Sequence, residues 1–518
     1  MPISRRRWLQ FAALAGMFPA RAARARERPR FEANPFSLGM ASGYPGPDGM
    51  VLWTRLAPAP SEPGGGLGPE PIPVHWEIAA DEAMRDVVMR GDALAQAEWA
   101  HSVHVEVRGL APDRWYWYRF TAGDAVSAVA RTRTAPSADA MPAQLRFAFA
   151  SCQQYEQGWY AAHRHLAADA PDLVAFLGDY IYESSWGNNH VRKHDAGEPH
   201  DLDDYRRRYA LYKGDADLQA AHAACPWILI WDDHEVDNDY ANDTAEDGMA
   251  AEDFLRRRAA AYRAWYEHQP LPASMRPGAN GMRIHARQDW GRLARFYLLD
   301  CRQYRDRQVC PRLGRIGGSN VIDANACEAL GDPARSLLGG AQETWLGSEF
   351  AASGARWNLI AQTTLMAQLD RAQPGAPKRV WTDGWDGYPA ARRRLLEAIV
   401  AHRLTNPVVI GGDVHAHWVA DLKSDFDDPA APVIASEIVG TSITSQGTAQ
   451  RNVDAWRTRN PHLKFGRSDR RGYVRAVLSP EALRVDLRAM DRIDTREAGC
   501  ETLASFVIDD GRPGARAA

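Results

Sequence analysis

From residue 143 onward, apolar runs of strand length alternate with helix-like stretches, and few folds accommodate that alternation. The runs are Leu145–Ala150, Leu173–Leu177, Trp227–Trp231, Phe296–Leu299, Trp357–Ala361 and Pro407–Ile410. Between them lie helix candidates at Trp159–Ala168, Ala251–His268 and Ala390–His402. Strand-then-helix order over this length is the pattern of a layered α/β domain, expected here over residues 143–505. A polar stretch from 183 to 213, containing His and Arg, reads as a loop region over the sheet.

Four of these runs end alike, with metal-ligand residue types just beyond the last apolar position. Ser151-Cys152 follows the first run, and Gly178-Asp179-Tyr180-Ile181-Tyr182 follows the second. Asp232-Asp233-His234-Glu235 follows the third, and Gly411-Gly412-Asp413-Val414-His415 the last. Ligands of open α/β sheets bind beyond the strand C-termini. Any one Gly-Asp pair is ordinarily a turn, and a buried cysteine is ordinarily a small core residue. Four strand ends offering thiol, carboxylate, phenol and imidazole together point to one metal-binding crevice. Glycines beside Asp179 and Asp413 suit turns with unusual backbone angles.

The region from 35 to 138 differs. Val51–Leu56, Val74/Trp76/Ile78, Val103/Val105/Val107 and Tyr116/Tyr118/Phe120 show strand-like alternation, separated by Pro- and Gly-rich turns. A small β-sandwich of fibronectin or immunoglobulin type is expected there, with Pro136 to Pro142 as the linker. At the N-terminus, Ser4-Arg5-Arg6-Arg7-Trp8-Leu9 precedes a modest apolar stretch and Ala23-Arg24-Ala25. That is the layout of a twin-arginine export signal over residues 1–25, so the export machinery is an expected partner and the periplasm or exterior the expected location. Its removal takes away five arginines and no acid, moving the formal charge from −4 to −9. An acidic surface argues against nucleic-acid binding, and no run of 18 apolar residues supplies a membrane span.

These motifs resemble a known family. Gly178-Asp179-x-x-Tyr182 resembles the Gly-Asp-x-x-Tyr motif of purple acid phosphatases within the calcineurin-like metallophosphoesterases. Asp233-His234-Glu235 stands where that superfamily has Asn-His-Glu, and Gly412-Asp413-Val414-His415 where it has Gly-His-x-His. More closely, the chain resembles the alkaline phosphatase D family of phosphatases and phosphodiesterases. Asn34–Gly39, Val51–Leu56, Ala150–Tyr155, Gly178–Glu183, Trp231–Val236, Leu299–Arg305, Asp383–Tyr388 and Gly412–Trp418 carry that likeness across most of the chain.

The resemblance implies a metallophosphoesterase-type layered α/β sandwich preceded by the small β-sandwich. It implies Fe(III) held by Cys152, Asp179, Tyr182 and His415, with Asp179 bridging to one or two Ca²⁺ ions. Asp413 and a residue of the 233–238 segment, Asp233 or Asn238, complete the calcium set. The chemistry agrees, since thiolate and phenolate suit Fe(III) while carboxylate and amide oxygens suit Ca²⁺. Phosphomonoesters or phosphodiesters would be hydrolysed by a metal-bound hydroxide, with His234 protonating the leaving alkoxide and Glu235 orienting it or forming a structural salt bridge. Arg192, Arg302 and Arg305 are either phosphate contacts or structural cations. The competing readings are a phospholipase-like diesterase acting on lipid headgroups and a non-catalytic exported metal- or phosphate-binding protein.

If Cys152 is a ligand, five of the six cysteines remain, and they cannot all pair. Cys225 opens a core strand and is expected as a buried free thiol. Cys310–Cys327 would close a Gly-rich loop and is the preferred bridge; Cys301–Cys500 is the other candidate pairing.

Overall fold

In a computed structural model the described residues are 29–518, apart from 279, 280 and 374. The expected signal over residues 1–25 lies outside them. Two large sheets stack face to face. Each has parallel strands at its centre: Leu145–Ala150, Leu173–Leu177 and Trp227–Ile230 in the first, and Ala294–Leu298, Trp357–Ala361, Pro407–Gly411 and Val433–Val439 in the second. All six apolar runs are therefore strands.

Period-two geometry explains how one run serves two cores. Trp357, Leu359 and Ala361 point into the layer between the sheets, whereas Ile360 points outward; Val408 and Ile410 face inward and Val409 outward. The inner layer also holds Phe147, Phe149, Phe176 and Phe296, with Phe147 edge-on to Phe296 at 5.4 Å between ring centroids. Helices Gly340–Ala351 and Pro389–Ala401 cover the outer face of the second sheet through Leu346, Phe350, Leu395 and Ile399. With both faces covered, continuous apolar runs are what the fold demands.

The polar stretch read as a loop is only partly one. Leu202–Lys213 is a helix, started by a capping box in which the Asp201 carboxylate accepts the Asp204 N–H and Asp204 returns to the Asp201 N–H. The second sheet face of the N-terminal sandwich, Val87–Ala95, Ile72–Ala79 and Trp115–Ala122, stands apart. Its first face does not: Met40–Gly46, Gly49–Arg55 and Ser102–Val107 extend the first large sheet through the parallel pairing of Gly43 with Trp227. At the opposite edge, Gly472–Leu478, Ala482–Met490 and Cys500–Asp509 add antiparallel strands. These three do not stand out as apolar runs.

Cys310 and Cys327 form a disulfide. Cys225 is a buried free thiol, as expected. The Cys301–Cys500 pairing is not formed: Cys301 is buried in the core outside the second sheet, while Cys500 lies on a strand of the first sheet. Among the described residues no helix is long and apolar enough to cross a membrane.

Candidate metal centre

The central parallel strands of the two sheets present their C-termini to the same side, and a cavity of about 810 Å³ opens there. Asp179, Asp233, His234, Asn238, Asp413 and His415 all line it. Chain reversal at the strand ends is abrupt. Cys152, Asp179, Asp413 and His415 have φ of 59°, 56°, 60° and 49°, a left-handed conformation that costs non-glycine residues about 1–3 kcal/mol each. Gly178 holds φ 100°, and a Cβ there would lie 2.5 Å from the Asp232 Cβ. Gly412 serves a different purpose: its own φ is not positive, but a Cβ would strike Ser151 Oγ.

Three groups of donor atoms converge, with every ligand atom in a group within 4.8 Å of the others: Cys152–Asp179–His415, Asp179–Asp233–His234, and Asp233–Asp239–Asp383. Asp179 belongs to the first two, the position of a bridging carboxylate. The Tyr182 hydroxyl donates to Asp179 Oδ2 at 2.8 Å and lies 3.3 Å from His415 Nε2, so it completes the first group. Asp413 and Asn238 share the cavity, and Asp413 enters none of these carboxylate, thiol and imidazole groups. Asp413 Oδ2 accepts from Thr364 Oγ1 at 2.6 Å, and Asn238 Nδ2 donates to Glu246 at 2.5 Å.

Burial pushes the Cys152 thiol and the Tyr182 phenol well up, with the Asp179 charge adding to both. Burial also raises the Asp179 carboxyl well up, against the pull of His234, and lowers His415 to about 3. All four shifts favour the neutral form, and a cation among them would reverse each acid's shift. Asp179 Oδ1 is buried with no protein partner. A thiol, a phenol, an imidazole and an orphaned carboxylate oxygen converging in this way are a donor set that could hold a metal ion.

His234 is anchored by Glu183, not by Glu235. Its Nδ1 lies 2.7 Å from Glu183 Oε2, and its ring packs on Tyr182 at 4.1 Å between centroids. Burial opposes its charge, yet Glu183, Asp233 and Asp179 outweigh that and hold the imidazolium well above its ordinary range. Glu235 instead accepts the backbone N–H groups of Asp179 at 3.1 Å, Tyr180 at 2.6 Å and Asp232 at 2.8 Å. It ties two ligand-bearing turns together, so its role is positioning. Glu183 sits directly after Tyr182, and that adjacency was the available signal for it.

The three arginines are structural. Arg302 pairs with Asp232 and with Asp383 at 2.7 Å. Arg305 pairs with Asp383 at 2.7 Å and donates to the Asp239 and Tyr240 carbonyls. Arg192 pairs with Asp215 at 2.7 Å and lies over the Tyr155 ring.

Residues 147–487 match the profile of a family described as "PhoD-like phosphatase", and residues 21–136 match its N-terminal domain. Alkaline phosphatase D of Bacillus subtilis (strain 168) is 43% identical over 519 residues, covering 98% of this chain and 86% of that protein. The chain belongs to the PhoD-like phosphatase family. A solved structure described as "Structure of PhoD" superposes with a TM-score of 0.89 at 44% identity, covering 94% of this chain and 93% of that one. This PhoD-like protein is therefore an enzyme, a phosphoric ester hydrolase.

Proposed function

We propose that this enzyme is an exported, metal-dependent phosphoesterase acting on phosphomonoesters or phosphodiesters, with Fe(III) and calcium at the crevice. The observation that carries the reading is the sharing of Asp179 between a Cys–Tyr–His group and an Asp–His group. Cys152, Asp179, Tyr182 and His415 would hold iron. Asp179 and Asp233, with Asp413 or Asn238 from the cavity wall, would hold calcium. When bound, the cations supply Lewis acidity, lowering the pKa of water and neutralising phosphate charge.

The protein's own contribution is to bind, orient and transfer a proton. His234 faces the cavity with Nδ1 committed to Glu183, and its other nitrogen has no partner among the described residues. A charged imidazole in that pose can donate from Nε2 to the departing alkoxide. Glu183 fixes the ring orientation and keeps the proton in place. Glu235 keeps the Asp179 and Asp232 turns in register. The twin-arginine motif supports export to the periplasm or beyond, and the Cys310–Cys327 bridge suits an oxidising compartment.

The test is hydrolysis of p-nitrophenyl phosphate and bis(p-nitrophenyl) phosphate by metal-replete and chelator-stripped enzyme. Activity on at least one ester, lost on stripping and restored by iron with calcium, is expected. Full activity after complete stripping would overturn the metal assignment. Turnover confined to phosphatidylcholine vesicles would redirect the substrate assignment to lipid headgroups.

A further inference from the structure

Two arginines line the cavity without a side-chain partner among the described residues: Arg312, which is exposed, and Arg371, which is half-buried in its wall. Arg371 lines the cavity wall beside Leu369 and Val414. Its guanidinium carbon lies 5.1 Å from the Trp381 ring centroid and 5.0 Å from that of Trp456. Among the described residues its side chain forms no hydrogen bond or ion pair, and its Nε is buried without a partner. The carboxylates whose fields reach it are Asp386 and Asp413. Asp386 is taken by Arg392 at 2.6 Å and by the Leu369 N–H at 2.9 Å, and Asp413 by Thr364. The neighbouring acid Asp370 is held by Arg459 at 2.6 Å.

Such a residue is held in place without being satisfied. Its backbone N–H donates to the Arg379 carbonyl at 2.8 Å, on the strand Arg379–Trp381, and Trp456 projects from the helix Gln450–Arg459. Indole faces attract a guanidinium but leave its N–H fork unused. That planar fork matches the paired oxygens of a phosphate. Burial lowers the group only to about 10, so it stays charged at neutral pH.

We propose that Arg371, framed by Trp381 and Trp456, is a subsite for a second phosphate of the substrate, separate from the one undergoing hydrolysis. The preferred substrates are then phosphate esters that carry another phosphate on a short linker. This inference rests on the phosphoesterase reading above and assigns its specificity. Arg371 also lines a side recess with Thr364, Leu369, Trp381 and Val414 that none of the donor-group residues enters, which places its fork to one side of the scissile phosphate.

The test measures competitive inhibition of bis(p-nitrophenyl) phosphate hydrolysis by α,ω-alkane bisphosphonates with two- to six-carbon linkers, each compared with the alkyl monophosphonate of equal length. The native enzyme is expected to bind at least one bisphosphonate about tenfold or more tightly than its monophosphonate, the scale of one charge-assisted pair. In Arg371→Gln that preference should fall to about twofold, the statistical value for two identical ends. Arg371→Lys, which keeps charge without the fork, should be intermediate. Metal chelation by the bisphosphonates would be the same in all three proteins. No preference at any linker length in the native enzyme overturns the subsite, as does a preference that survives in Arg371→Gln. Failure of the native enzyme to hydrolyse any phosphate ester would instead defeat the phosphoesterase reading.

Discussion

Two charged clusters lie back to back at the strand ends, and they handle burial in opposite ways. Behind the cavity, Asp232 and Asp383 meet Arg302, and Asp383 also meets Arg305, so protein cations compensate protein anions. At the cavity, Cys152, Asp179, Tyr182 and His415 come together with no arginine or lysine bonded to their side-chain donor atoms among the described residues, an orphaned carboxylate oxygen and left-handed backbone at three of the four. Burying unpaired donors is expensive. The rear cluster is held together by its own ion pairs, with only Asp232 Oδ2 left over among its carboxylate oxygens; the front one offers a thiol, a phenol, an imidazole and a carboxylate oxygen that no arginine or lysine claims. That contrast, more than the mere abundance of acids, is what supports placing the chemistry at the cavity.

Substitutions should separate the two clusters. The largest effect on activity is expected from Asp179→Ala, which removes the donor common to two groups. Turnover and bound metal should both fall by more than the 10–100-fold typical of an outer partner, as read by kcat/KM and elemental analysis. Arg302→Met should damage folding instead, because it strands buried carboxylates. A loss of about 3–5 kcal/mol in denaturant stability is expected, with Asp383→Asn in the same chain recovering part of it. Equal stability of Arg302→Met and the native chain would erase the distinction between the clusters.

Glu183→Gln probes the boundary between them. Without its carboxylate partner His234 loses charge and orientation, so kcat should fall about 10–100-fold with KM changed far less. Substrates with a good leaving group, which need little protonation, should be affected least.

Lys213 shows a third way to bury a charge, by giving up the proton. It lies over the Trp53 ring at 4.2 Å, and burial pushes it down to about 7. Between pH 7 and about 10.5 the unfolded chain holds a proton there that the folded chain does not. Stability should therefore rise with pH across that window, by on the order of a few kcal/mol in total. Lys213→Met should flatten this slope in urea titrations at a series of pH values. An unchanged slope would show that Lys213 remains charged when folded.

How much of this was legible beforehand follows the same physics. Six of the seven central strands were readable because burial on both faces leaves continuous apolar runs, as Trp357–Ala361 illustrates; the seventh, Val433–Val439, is interrupted by Ser436 and Glu437. The edge strands near the C-terminus were not, since alternation such as that of Ala482–Met490 mixes Arg and Asp with its apolar residues. The helix Leu202–Lys213 was hidden by its polarity, although its Asp201 and Asp204 cap was present in the sequence. Residues on the strand-end motifs were readable because strand C-termini converge in this layer arrangement. Partners that act across the fold were not: Glu183 reaches His234 from 51 positions away, and Asp383 reaches Arg302 from 81. Spacing along a chain carries no information about such pairs.

The most direct test of the proposed ferric site is elemental analysis together with a visible spectrum of the purified enzyme. Bound iron should accompany a phenolate-to-iron charge-transfer band that disappears in Tyr182→Phe, while iron content is reduced in Cys152→Ala and His415→Ala. A colourless, iron-free enzyme with full phosphoesterase activity would contradict it.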